Sequence, residues 1–177
     1  AVGLALKDTL ANFASGVMLL VFRPINVDDY VDVGGTAGTV MEIGIFATTL
    51  RSPDNIRITV PNSQVYGTTI QNYNGYETRR VDLVMGISYD DNIQTALDTI
   101  QRIVSADERV LADPALQIAV SNLGDSSVDL IVRPWCHVAD YWNLRFDLTR
   151  SLKEGLEAAG CSIPYPQRDV HMHQVAI

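Results

Sequence analysis

At Arg23-Pro24 the chain changes its hydrophobic period. Upstream, residues 9–22 place Leu10, Phe13, Val17 and Leu20 on one helical stripe and Ala11, Ser15 and Met18 on another. The small residues Gly3, Ala5, Ala11, Ala14 and Gly16 would let such a helix approach a neighbour closely. Proline cannot continue the helix, and it pushes the preceding residue toward extended backbone. Downstream, residues 30–73 are rich in Val, Ile and Thr and are broken by Gly34-Gly35, Gly38, Gly44, Pro53-Asp54-Asn55, Pro61-Asn62 and Gly67. This punctuation predicts short strands over 30–33, 38–45, 47–51, 56–61 and 69–72 in a small, strongly bent sheet or barrel.

A second change follows Asn74-Gly75, a turn signal that leads into the polar run Glu77-Thr78-Arg79-Arg80. Val81, Leu83, Met85 and Ile87 then alternate as in a strand, and Asp90-Asp91 stands where a helix N-cap is favoured. Ile93, Leu97, Ile100 and Val104 mark that helix. Strands over 116–122 and 127–136 follow, joined at Gly124-Asp125, with Pro134 demanding an edge or a bulge. A further helix from near Asp140 carries Leu144, Leu148, Leu152 and Leu156 and ends at Gly160. With a last strand over 169–175, the order is β-α-β-β-α-β, the split pattern of an antiparallel sheet with two helices on one face.

Charge and motif content argue against several function classes. The net charge is −8, of which residues 76–177 carry nine basic and fifteen acidic groups. Nucleic-acid backbones are bound through Lys and Arg that displace counterions, so no nucleic-acid partner is expected. No P-loop, G-x-S-x-G or H-E-x-x-H is present, and Gly34-Gly35-Thr36-Ala37-Gly38 joins two strands rather than opening a helix that could hold a phosphate. His171 and His173 would share a strand face with Asp169, but His137 is remote and no closed ligand set forms, so neither a metal nor another cofactor is expected. Should the tails of several copies meet, these imidazoles could cluster and titrate at about pH 6. Cys136 and Cys161 lie far apart and read as two reduced, partly buried thiols. Trp135, Tyr141 and Trp142 read as packing aromatics.

Four stretches taken in order carry a family resemblance: Phe22-Arg23-Pro24-Ile25 after the small-residue helix, residues 30–40 (YVDVGGTAGTV), Val60-Pro61-Asn62-Ser63, and Pro164-Tyr165-Pro166-Gln167. In this order and spacing the chain resembles the small-conductance mechanosensitive (MscS-like) channel family. The resemblance implies an α+β chain that is not an enzyme: the end of a pore-lining transmembrane helix over 1–23, an Sm-like β-barrel domain over 24–75, a ferredoxin-like α/β sandwich over 76–167, and the start of a tail strand over 168–177. It implies homo-oligomers, heptamers in the relatives, seated in the bacterial inner membrane with most of this segment cytoplasmic. Their partners are the lipid bilayer and the permeating ions and small solutes released when membrane tension opens the pore in hypo-osmotic shock. No uninterrupted apolar run in residues 1–22 reaches the roughly 20 residues that cross a bilayer. The start on Ala1, without initiator Met or signal-peptide pattern, fits a piece of something longer, with the spanning part upstream.

Site residues follow from the same resemblance. Leu4 matches an apolar ring that seals the closed pore. Lys7-Asp8 matches the place where relatives kink the helix and some have glutamine followed by glycine; with neither residue glycine here, a glycine hinge is in doubt. Leu4 and Lys7, three apart, share roughly one helix face, so seven Lys7 ammonium groups would ring the inner mouth. Alternatively, Lys7 and Asp8 pair and turn toward neighbouring subunits. Leu10, Asn12, Phe13, Gly16 and Val17 are expected to pack the helix and couple it to the β-domain or to neighbouring helices. The rival readings are a soluble Sm-like or ferredoxin-like binding module, its first helix packed on its own domain, and an enzyme with a cleft lined by Asp90, His137 and Tyr141.

Overall fold

The computed structural model describes residues 6–172, and two units divide at Glu77/Thr78. In the first, helix α1 (Lys7–Phe22) stops where Arg23 enters the left-handed region at φ 48° and gives its N–H to the Leu19 carbonyl at 3.0 Å. A non-glycine residue there costs about 1–3 kcal/mol, and the reward is a sharp exit into Pro24. Strands β1 (Tyr30–Val33), β2 (Thr36–Ile43), β3 (Ala47–Arg51), β4 (Arg57–Pro61) and β5 (Ile70–Asn72) form one antiparallel sheet in the order β4-β3-β2-β1-β5. The β1–β2 hairpin turns on Gly34 and Gly35, both at positive φ as a two-residue turn of this hand requires. Between β4 and β5 lies a short helix that the sequence reading left out, α2 (Asn62–Gly67). Alternation buries Val31, Val33, Val40, Leu50 and Val60 on one sheet face, where they pack with Leu19, Ile25 and Val65.

The second unit is built from β6 (Thr78–Arg80), β7 (Leu83–Ile87), α3 (Ile93–Ser105), β8 (Gln117–Leu123), β9 (Val128–Arg133), β10 (Trp135–His137) and α4 (Tyr141–Ala158). β9 runs antiparallel between β7 and β8. Pro134, having no N–H to donate, divides the single strand expected over 127–136: its own carbonyl accepts from Val81 N–H at 2.8 Å, and β10 leaves to pair with β6 instead. Leu144, Leu148, Leu152 and Leu156 are buried at i, i+4 spacing on α4 and meet Ile100 and Val104 of α3 and Leu83, Ile87, Leu130 and Val132 of the sheet. Gly160, at φ +85°, closes α4, and the Cys161 N–H returns to the Leu156 carbonyl.

Two expectations are corrected here. The N-cap of α3 is Asn92, whose Oδ1 accepts from Thr95 N–H at 3.0 Å. Asp91 is used elsewhere: its Oδ2 accepts from the N–H groups of Ser88 (3.0 Å) and Ser162 (2.7 Å), pinning the chain after α4 to the loop before α3. Asp90 is exposed. The strand expected over 169–175 is absent from its described part, because residues 161–172 form neither helix nor strand; residues 173–175 lie outside the described region. Pro164 and Pro166 remove two donors and Ile163, Tyr165, Val170 and Met172 are exposed, so no buried face fixes a register.

Arg109 bridges Asp107 (2.7 Å) and Asp147 (3.0 Å). Its hydrogen bond holds the Asp107 carboxyl below the ordinary carboxylate range. The depressed folded-state value makes this contribution present above the unfolded pKa of about 3.9 and lost as pH falls through the folded value. We expect Arg109→Gln to flatten the acid limb of a pH–stability profile below about pH 4. In urea unfolding, Asn92→Ala is expected to cost about 1 kcal/mol and Asp90→Ala less than about 0.5 kcal/mol; equal losses would contradict the assigned cap.

Candidate functional site

The first unit brings Asn12, Phe13 and Gly16 of the sequence-selected helix residues to one junction, built around Asn62. Following Pro61, this residue opens α2 with its side chain fully buried. Its Oδ1 accepts from Thr48 Oγ1 at 2.9 Å, and its Nδ2 donates to the carbonyls of Gly44 (2.9 Å) and Ile45 (3.1 Å). The carboxamide therefore closes the β2–β3 turn from inside, and its own buried donor and acceptor and the buried Thr48 hydroxyl are satisfied there. Asn62 N–H also donates to the Phe46 carbonyl at 3.0 Å.

Helix α1 lies directly on this latch. Gly16 is buried, and a Cβ on it would stand 2.5 Å from Asn62 Nδ2 and 2.5 Å from the Ile45 carbonyl oxygen. Neither atom is free to yield, so only glycine permits this approach. One turn earlier, Asn12 Oδ1 accepts from Ser63 N–H at 2.9 Å while its Nδ2 donates to the Asp8 carbonyl at 3.0 Å. No side chain at Pro61 caps α2, so the amide left over at its first turn is capped by a side chain from another helix. Leu19 completes the docking face, fully buried in the core. Phe13 meets Phe46 of the β2–β3 turn with ring centroids 6.4 Å apart.

The docking face is thus centred on Asn12, Gly16 and Leu19, with Phe13 of the Leu10, Phe13, Val17 and Leu20 stripe reaching Phe46 at its edge. Leu10, Val17, Leu20, Val21 and Phe22 stay exposed within this unit. Leu6, Thr9, Leu10, Phe13 and Phe46 line an almost wholly apolar groove of about 270 Å³. Lys7 and Asp8 are exposed and form no ion pair with each other, so the paired alternative is not seen within this chain. Leu4 lies outside the described residues. Asn62, Ser63 and Thr48 are the junction residues that sequence reasoning missed as site residues: Pro61-Asn62 reads as a turn, Thr48 as part of the strand over 47–51, and nothing local announces a buried carboxamide.

No hydrogen bond joins Asp90, His137 and Tyr141; Asp90 and His137 are exposed, and Tyr141 is buried beneath the Arg79 guanidinium, 3.6 Å from its ring centroid. Among the described residues no group of His, Cys, Asp and Glu is arranged to hold a metal. His171 is exposed, and His173 lies outside the described residues. Both cysteines are buried and free, and burial pushes both thiols up, away from reactivity. Among the described residues no helix is long and apolar enough to cross a membrane.

Residues 8–75 match the family profile for the mechanosensitive ion channel beta-domain, and residues 81–163 that for the C-terminal domain of the mechanosensitive ion channel MscS. The chain is 42% identical over 174 residues to the small-conductance mechanosensitive channel of Edwardsiella ictaluri, covering 98% of this chain and 61% of that protein. It is similar to the crystal structure of Helicobacter pylori MscS in its closed state, with TM-score 0.93, 30% identity and coverage of 99% of this chain and 70% of that one. Arabidopsis thaliana MSL1 shares the fold, with TM-score 0.79 at 21% identity over 92% of this chain and 61% of that one. The chain spans about six tenths of the length of the relatives it matches in sequence.

Two of the helical glycines, Gly16 and Gly155, separate the packing roles. Gly16→Ala is expected to destabilise the chain by about 1–3 kcal/mol through overpacking, despite alanine's better helix propensity. Gly155→Ala meets only the end of the Ile103 side chain and should stay within about 1 kcal/mol of the parent. Urea titrations of both variants check the contrast.

Proposed function

The chain belongs to the MscS family of mechanosensitive ion channels, and from that membership we propose that it supplies the end of the pore-lining helix and the cytoplasmic domains of a tension-gated channel subunit. The observation that carries the proposal is the two-sided helix α1. One face is latched to the sheet through Asn12, Gly16 and Leu19, while the other is apolar and bare in the single chain. A bare apolar face suits burial against neighbouring helices and lipid in a homo-oligomer, a heptamer by family likeness, with the bilayer as its partner. The latch suits transmission: displacement of the helix must displace the sheet that grips it.

In this reading the five-stranded sheet is the Sm-like domain of residues 24–75. The β7-α3-β8-β9-α4 unit is the ferredoxin-like domain of residues 76–167, and residues 168–177 begin the tail. The subunit sits in the bacterial inner membrane with most of this segment in the cytoplasm. No enzyme chemistry and no cofactor enters: tension favours whichever state occupies more membrane area, so gating is a shift between two states that differ in area. Opening releases ions and small solutes in hypo-osmotic shock. Leu4 seals the closed pore by excluding water. The exposed Lys7, one turn further along, rings the inner mouth with Asp8 beside it and biases which ions pass; Leu10, Phe13 and Val17 pack between subunits.

The test is patch-clamp recording of the full-length parent in channel-free membrane under stepped suction. Stretch-activated steps that change in Leu4→Ser are expected, and silence with the protein present in the membrane would overturn the proposal. Lys7→Gln should shift the reversal potential in a salt gradient; an unmoved potential would remove Lys7 from the selectivity role.

A further inference from the structure

The face of the first sheet opposite its core carries an unbalanced charge pair. β3 and β4 pair in a register that sets Arg51 directly opposite Arg57. Leu50 points into the core, so Thr49 and Arg51 project from the other face, and both arginines are exposed. Like charges at opposed positions of an antiparallel pair, roughly 5 Å apart at Cβ, work against the sheet. They are two of the three cations in residues 23–75, a stretch that also holds five acidic groups. Nevertheless, among the described residues no carboxylate lies within ion-pair distance of either guanidinium.

The neighbouring acids are placed elsewhere. Asp54, in the turn between the strands, accepts from Ser52 Oγ. Glu42 of β2 stands opposite Thr49 and reaches the same depression without pairing to either arginine. The lining of that depression, about 340 Å³, includes Arg51, Arg57, Thr49, Asn55, Glu42 and Met41, with part of Leu50.

We propose that this depression binds a phosphate group. Two guanidinium forks on adjacent strands present paired N–H donors, and a tetrahedral dianion has oxygens enough to engage both while relieving their repulsion. Thr49 and Asn55, also in the lining, carry side-chain donors of the kind a phosphate takes, and Met41 supplies apolar surface for what the phosphate is attached to. Glu42 opposes the anion, which sets a sign that can be tested. The phosphate is either a soluble ion or the headgroup of a lipid.

Inorganic phosphate titrated into the full chain at neutral pH, followed by calorimetry, reads the site directly. Saturable binding is expected, weakened about tenfold by Arg51→Gln or Arg57→Gln, the order of one charge-assisted hydrogen-bonded contact, and abolished by both together. Glu42→Gln should bind more tightly. Thermal unfolding of the arginine variants at or above the parent's midpoint separates a binding role from a folding role. No saturation, unchanged affinity in the double variant, or weaker binding by Glu42→Gln overturns the proposal. Sedimentation with phosphatidylcholine vesicles containing phosphatidic acid then identifies the source. Capture that needs both arginines assigns the phosphate to a lipid, and phosphate binding without capture assigns it to a soluble anion.

Discussion

The first unit depends on one buried carboxamide. Asn62 brings a donor and an acceptor into a fully buried site and uses both, so what would be a desolvation penalty becomes a set of three directed bonds. An apolar side chain of similar size would leave the Gly44 and Ile45 carbonyls and the Thr48 hydroxyl without a partner. An aspartate would bring a charge into the core and set an oxygen against those two carbonyls. The latch in turn fixes the surface on which α1 lies, and that surface is so close that the helix can present only a glycine to it. Asn12 then bonds to Ser63, the residue after the latch. Helix, turn and sheet are specified together.

The second unit is held differently. Its core is a leucine ladder on α4 against alternating strand residues, and its polar contacts lie mostly at the margins. Asp91 secures the chain leaving α4, and Arg109 joins Asp107 to Asp147. Such a core tolerates exchange among apolar side chains of similar volume. The Asn62 latch does not, since its partners are carbonyls whose positions are set by a turn.

This contrast explains what could be read from the sequence. The ladder Leu144, Leu148, Leu152 and Leu156 and the strand Leu83–Ile87 were legible because one helical or strand period repeats and burial follows it. Gly16 was legible as a close-approach residue, but its partner was not, because Asn62 lies 46 positions away and follows a proline that reads as a turn. On α1 the stripe rule selects bulky residues, whereas the contact with the latch is made by the absence of a side chain at Gly16 and by the Asn12 amide. The same kind of competition moved the α3 cap. Asp90, Asp91 and Asn92 are all good cap residues, and Asp91 is taken by the Ser88 and Ser162 amides, so Asn92 fills the position.

The junction also constrains how α1 can move. Sharp helix kinks arise at proline, at flexible glycine or serine positions, or at bulges. Between Lys7 and Phe22 there is no proline, and the one glycine is held against the Ile45 carbonyl and the Asn62 amide. The Ser15-Gly16 pair is the place where this length could kink, and a bend there meets the Ile45 carbonyl and the Asn62 amide packed against Gly16. Its backbone changes direction at Arg23, already in the left-handed region. Just beyond, Asn72 Nδ2 donates to the Pro24 carbonyl at 3.1 Å and to Asp29 Oδ2 at 2.7 Å, and the same Asp29 oxygen accepts from Asn26 N–H at 2.8 Å. That network ties the exit of the helix to β5 just as Asn62 ties its middle to β3. α1 is thus attached to one sheet at two points, near its middle through Asn12 and Gly16 and at its exit through Pro24.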